Sequence, residues 1–115
     1  MTDSRSPTDW LPLNPRVFAI LMALSEGEAH GYRIKQSVEE HSAGTIRLDP
    51  GSLYRSIARL VDDGWILESE DPPDSGSDDA RRRYYALTAL GRAVLSAEAT
   101  RLAGLVDTAR TLNLV

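Results

Sequence analysis

A mainly α fold with one small β-hairpin follows from three features of this sequence. Apolar residues recur at helical spacing in three segments before residue 64. Two short runs rich in β-branched and aromatic residues flank a stretch of Asp, Pro, Ser and Gly. A final segment without proline carries an apolar stripe for about 25 residues.

The chain has 115 residues, enough for one core and too few for two. Apolar residues make up 42% and charged residues 26%, the balance of a folded, soluble protein. No apolar run approaches the roughly 20 residues that span a bilayer, and the opening MTDSRSPTD lacks the basic and apolar regions of a signal peptide. A cytoplasmic location without membrane contact is therefore expected. The absence of cysteine closes disulfide chemistry, thiolate nucleophiles and cysteine-ligated metals.

The formal net charge is −4, but it is segregated. Residues 62 to 79 hold eight acids and no base, whereas residues 80 to 92 hold four arginines and no acid. Salt screens charges beyond about 8 Å, so one face can be positive on an acidic molecule. The balance argues against indiscriminate binding to a polyanion, not against nucleic acid.

Taken in order, residues 1 to 13 are expected to form a loose arm, with Trp10, Leu11 and Leu13 packing on the domain or on a partner chain. Asn14 and Pro15 then make a cap and a first helical position for RVFAILMALSE, a helix apolar on almost every side that Gly27 stops. Such a helix is central to the core or half covered by another subunit. A second helix is expected from about His30 to His41, ending near Gly44, with Ile34 and Val38 on one face, Tyr32 and Gln36 on the other and Lys35 at the border. TIRL is a brief extended piece. The third helix starts at Asp49 and Pro50 and ends at Gly64; its apolar arc is Leu53, Ile57, Leu60 and Val61, and Ser52, Arg55 and Arg59 lie almost diametrically opposite. WILESE and RRRYYALT are the hairpin strands, joined by an acidic loop. From Thr88 the last helix runs about 37 Å at 1.5 Å per residue. Its stripe of Leu87, Leu90, Val94, Leu95, Leu102, Leu105, Ala109 and Leu112 is broken by Glu98 and Arg101. A domain this small cannot cover so long a stripe, so a helix pair between two chains is expected.

Three helices, a hairpin and a long helix are the layout of a winged helix-turn-helix followed by a dimerisation helix. The expected boundaries are an arm at 1–13, a DNA-binding domain at 14–88 and a dimerisation helix at 89–115. In that layout the third helix enters the major groove and the hairpin lies along the backbone or minor groove. Arg55 or Arg59 is then suited to guanine O6 and N7, the other role for either being phosphate contact, and Ser52 is suited to phosphate. A merely solvated arginine face is the ordinary alternative. Tyr54 is divided between packing and phosphate contact, and Tyr32 and Lys35 are candidates for the DNA backbone. Arg81, Arg82 and Arg83 stand at the base of the wing, where strand alternation lets at most two face DNA together; salt bridges to the acidic loop are their other use. Phe18, Leu90, Val94, Leu102, Leu105 and Leu112 are the candidate dimer contacts.

The chain also resembles the PadR-like transcriptional regulators. The resemblance rests on ILMAL at 20 to 24, HGYRI at 30 to 34, GSLYRSIARLVDDGWI at 51 to 66 and YALTALG at 85 to 91, four motifs in order. Ile57 stands where leucine is usual, and Ala89 where an acid often follows the LT pair. The resemblance implies a homodimeric repressor on a pseudo-palindromic operator, released when a small molecule, often a phenolic acid or flat aromatic compound, enters the dimer. The short last helix is similar to the smaller branch of the family. In a few small members aromatic side chains of that helix line a ligand pore; here it has none, leaving Trp10 or Phe18 to supply rings. A ligand at the junction of the first and last helices would change the separation or tilt of two reading heads set about 34 Å apart.

Other chemistries find little footing. His30 and His41 are eleven residues apart near opposite ends of one short helix, which suits capping or packing better than metal binding. The wing loop has Gly76 where a calcium loop needs glycine, but Pro73 and Arg82 occupy ligand positions. No phosphate-binding loop, dinucleotide fingerprint or catalytic triad pattern occurs, so no enzyme, cofactor or metal is expected. The competing class is a winged-helix interaction module that meets another protein through Trp65, the wing and the acidic loop.

Overall fold

The computed structural model describes residues 6–70 and 83–115. Every α-helix begins at a side chain that captures an otherwise orphaned N–H. Asn14 Oδ1 accepts from the Arg16 N–H at 2.8 Å and opens α1 (Pro15–Leu24). His30 Nδ1 accepts from Arg33 at 3.2 Å and opens α2 (Gly31–His41). Asp49 Oδ1 accepts from Ser52 at 2.8 Å and opens α3 (Pro50–Asp62). Thr88 Oγ1 accepts from Gly91 at 3.0 Å and opens α4 (Ala89–Thr111). Between α2 and α3 the chain reverses through Gly44 at φ 79°, whose N–H returns to the Glu39 carbonyl at 2.8 Å.

The sheet has three antiparallel strands in the order β1-β3-β2: β1 (Ala29–His30), β2 (Ile66–Glu70) and β3 (Arg83–Leu87). The expected hairpin is β2 with β3, in the register Glu68↔Tyr85. Two residues show no periodicity, so β1 was not legible; it forms because Ala29 and His30 pair with Tyr85 and Tyr84 along the other edge of β3. The acidic wing loop, with Arg81 and Arg82, lies outside the described residues. No helix among the described residues is long and apolar enough to cross a membrane.

The core is built around α1, which buries Ala19, Ile20, Leu21, Ala23 and Leu24. Ile34 and Val38 of α2, Leu53, Ile57 and Leu60 of α3, Ile66 and Tyr85 of the sheet, and Val94 and Leu95 of α4 close around it. One junction joins the two halves of the chain. The Trp65 carbonyl accepts the Thr88 N–H at 3.0 Å, and the Thr88 hydroxyl donates to the Gly64 carbonyl at 2.6 Å. Gly91 passes so close that a Cβ there would lie 2.0 Å from the Trp65 carbonyl oxygen. The glycine of YALTALG is thus required by backbone contact.

Four expectations need correction. From Ser6 onward the arm is not loose, although Trp10 packs on the domain, one of the two uses expected of it: Pro7–Trp10 form a 3₁₀ turn packed on α4, and Trp10 meets Trp65 edge-on with centroids 5.7 Å apart. Glu98 does not break the stripe. It is 1% exposed and its carboxylate accepts the Leu13 N–H at 2.8 Å and two N–H groups of Arg101, which lets a charge sit in the buried face and ties the arm to α4. Val94 is fully buried in the chain's own core and offers no surface to a partner. Trp65, 4% exposed, cannot anchor a partner protein either, because the junction with α4 turns it inward.

The hydrogen bonds from Arg101, more than that from Leu13, hold the Glu98 carboxyl below the usual carboxylate range against the opposing effect of burial. A lowered pKa stabilises the fold above the unfolded value of about 4.3 and ceases to do so as pH falls through the folded value. Glu98→Gln should therefore flatten the loss of stability in urea titrations below about pH 5. Gly91→Ala should cost about 1–3 kcal/mol, because the Trp65 backbone cannot yield. By contrast, Gly104→Ala, where a Cβ meets nothing, should gain about 0.5–1 kcal/mol from helix propensity in the same denaturation assay.

Candidate nucleic-acid interface

Burial of Leu53, Ile57 and Leu60 fixes the rotation of α3 and turns Arg55 and Arg59 outward. The Arg59 side chain is 85% exposed and only loosely paired, its Nε 4.0 Å from Asp63 Oδ2. A contact that long and that wet holds the guanidinium weakly. Arg55 is held differently: its Nη2 donates to Ser52 Oγ at 3.3 Å, and that hydroxyl donates to Asp49 Oδ2 at 3.1 Å. Asp49, Ser52 and Arg55 therefore form a chain along the first turns of the helix. The backbone N–H and then the hydroxyl of Ser52 keep the Asp49 carboxyl below its ordinary value.

Gly31 decides how α2 meets α3. A Cβ at Gly31 would lie 2.4 Å from the Tyr54 hydroxyl, so the tyrosine of GSLY reaches the first residue of α2 through the space left by the glycine of HGY. Tyr54 remains half exposed, and Tyr32, beside Gly31, is exposed and stacked on His30 at 6.5 Å. His30 in turn meets Tyr84 of β3 edge-on at 5.8 Å. The two histidines thus have separate duties: His30 caps α2, and His41 contacts Glu26 at 2.9 Å.

The structure sets Tyr54 against Gly31 at the start of α2, stacks Tyr32 on His30, and leaves Ser52, Arg55 and Arg59 on the outer face of α3. Lys35 is engaged along its own helix, 3.7 Å from Glu39. Arg83 forms a cross-strand ion pair with Glu68 of β2. Arg47, which sequence reasoning passed over, is exposed in the extended piece before α3 and has no ion pair among the described residues. Its signal was available: a base two residues ahead of the cap of α3.

At the other end, Phe18 and Leu102 line an apolar cavity of about 330 Å³ between α1 and α4, with Glu98 and Arg101 on its wall. Leu90 is half buried against the core. Leu105 and Leu112 are 55% and 62% exposed, so the outer half of α4 shows its stripe to solvent.

The model of the transcriptional regulator PadR-like family matches residues 20–97. The chain belongs to this family. Its motifs now have physical roles, since the HGY glycine admits Tyr54 and the LTALG glycine admits Trp65. An uncharacterized 37.1 kDa protein in a transposon of Streptomyces fradiae is 36% identical over 92 residues, 80% of this chain and 24% of that protein. A transcriptional regulator of Mycobacterium tuberculosis is 32% identical over 77 residues, 67% of this chain and 65% of that protein. The chain thus matches about a quarter of the first relative and just under two thirds of the second. The Bacillus subtilis PadR structure in complex with operator DNA shares the fold at a TM-score of 0.60, with 24% identity over 72% of this chain and 46% of that one.

Asp49→Ala should lower the melting temperature and speed hydrogen exchange at the Ser52 amide, because both Ser52 contacts are lost. Asp49→Asn, which keeps an acceptor oxygen, should restore most of both.

Proposed function

We propose that this chain is a sequence-specific DNA-binding transcriptional regulator that acts as a homodimer and represses until a small effector binds. The observation that carries the reading is the outer face of α3, where Arg55 and Arg59 stand clear of a helix whose other side is buried. On a family member with this fold, that face is the one to enter the major groove. Arg59, the freer cation, is assigned to a guanine edge and Arg55 to a base or phosphate. Ser52, Tyr54, Tyr32 and Lys35 are assigned to the backbone, with Arg47 added from its place just ahead of α3. Arg81, Arg82 and Arg83 are assigned to phosphates beside the wing, Arg83 after exchanging Glu68 for DNA. The operator complex of Bacillus subtilis PadR supports DNA as the partner.

Dimerisation is assigned to the exposed outer half of α4, where Leu105 and Leu112 continue a stripe that this chain leaves open. Phe18, Leu90 and Leu102 border it. The apolar cavity between α1 and α4 touches both that stripe and the core, so an apolar or aromatic effector there would tilt α4 and change the spacing of the two heads.

Anisotropy titration against the DNA upstream of the gene and a scrambled duplex, at two salt concentrations, tests the reading. Selective binding by two chains per site, weakening linearly in log salt, is expected. Arg59→Ala should cost about 1–3 kcal/mol of operator affinity while leaving thermal stability unchanged. Equal affinity for both duplexes, or an unaltered Arg59→Ala, would remove α3 from this role.

A further inference from the structure

Two arginines stand on the outer face of α3, and the chain treats them differently. Arg59 is exposed, with only the 4.0 Å contact to Asp63. Arg55 is folded back along the first turns of its helix. Its Nη2 donates to Ser52 Oγ at 3.3 Å, that hydroxyl donates to Asp49 Oδ2 at 3.1 Å, and Asp49 Oδ1 accepts the Ser52 N–H at 2.8 Å. Gly51 makes the room for this. A Cβ there would lie 3.2 Å from Arg55 Nη1 and 3.3 Å from Asp49 Oδ1, so guanidinium and carboxylate both lean over a residue without a side chain. The Ser52 N–H, then its hydroxyl, and after them the charge of Arg55, keep Asp49 ionised against the desolvation that opposes them.

An Asp at the start of a helix ordinarily serves as a cap, and Oδ1 alone does that here. The second carboxylate oxygen is spent on the Ser52 hydroxyl and, through it, on Arg55. This second use bears on what Arg55 can recognise. Reading guanine O6 and N7 requires the planar fork in one orientation, whereas a phosphate accepts a cation from many directions. A free arginine loses side-chain entropy on being so held. One already drawn against Ser52 loses less, and it keeps N–H groups beyond the one it donates. The Asp49 carboxylate acts in the same sense, because a negative charge at the start of α3 offsets the helix dipole that would otherwise draw a phosphate there.

We propose that Asp49, acting through Ser52, is a positioning residue that aims the Arg55 guanidinium at a guanine edge and so makes Arg55 a determinant of sequence preference. This rests on the reading of α3 as the groove-entering helix and deepens it. Arg55 is committed to a base rather than a phosphate, and Ser52 serves DNA through Arg55 in place of a phosphate contact of its own. Arg59, which has no such support, is the internal comparison.

In vitro selection of random-sequence duplexes by the full chain, followed by sequencing, measures the base preference at each position of the bound site. Arg55→Ala should remove a guanine preference on the order of tenfold at one position, and Arg59→Ala at another. Asp49→Asn keeps an oxygen for the Ser52 N–H but replaces the second with an amide nitrogen that cannot accept the hydroxyl proton. It should lower the preference at the Arg55 position by about threefold or more, leaving the Arg59 position and the melting temperature close to those of the unaltered chain. Ser52→Ala should act likewise. An Asp49→Asn chain that keeps the full Arg55 preference would overturn the relay and leave the α3 reading intact. So would a loss spread evenly over all positions with a lowered melting temperature, which is what a cap alone would produce. Uniform weakening of all duplexes by Arg55→Ala would make Arg55 a phosphate contact and overturn the relay as well. If neither Arg55→Ala nor Arg59→Ala alters the selected sequences, or none is enriched, the α3 reading itself fails and the relay falls with it.

Discussion

The rest of this structure depends on the approach of Gly91 to the Trp65 carbonyl. That contact, with the Thr88 bonds beside it, joins the end of α3 to the start of α4 at one end of the β2–β3 pair. A carbonyl that accepts a hydrogen bond and lies under a glycine has no room to move, so the direction of α4 is set by backbone rather than by adaptable side chains. Trp65 is turned inward as a consequence, and Val94 and Leu95 are delivered to α1. The arm can then find both Trp65 and Glu98.

A second, smaller constraint of the same kind orders the opposite face. Gly31 lets Tyr54 reach the start of α2, where the next residue, Tyr32, is stacked on His30. Here the intruding group is a half-exposed ring that can swing aside, whereas at Gly91 it is main chain. The two family glycines therefore differ in what they protect: one protects the fold, the other the arrangement of a surface.

Charge is handled by separation. The basic outer face of α3 and the acidic stretch from residue 62 are contiguous in sequence, and the break between them is the end of the helix. Glu98 is the exception, a carboxylate taken into the interior and kept ionised by Arg101 and a backbone N–H. Removing one partner from such a group costs more than the pair contributes, which makes the arm contact specific even where it adds little stability.

All four α-helix starts, the turn glycines Gly27, Gly44 and Gly64 and the hairpin strands were legible in the amino-acid sequence, because caps, breakers and periodicity act within a few residues. The rotation of α3 was legible for the same reason, and with it the outward placement of Arg55 and Arg59. Charge segregation, too, is a property of the chain as written. Only the tertiary structure decided that β1 pairs, that Trp65 is hidden, that Glu98 is buried and that the arm packs on α4. Each of these rests on partners distant in the chain, as with Leu13 and Glu98, 85 residues apart. A local pattern shows which face of an element is apolar; what that face meets is set by how the elements pack.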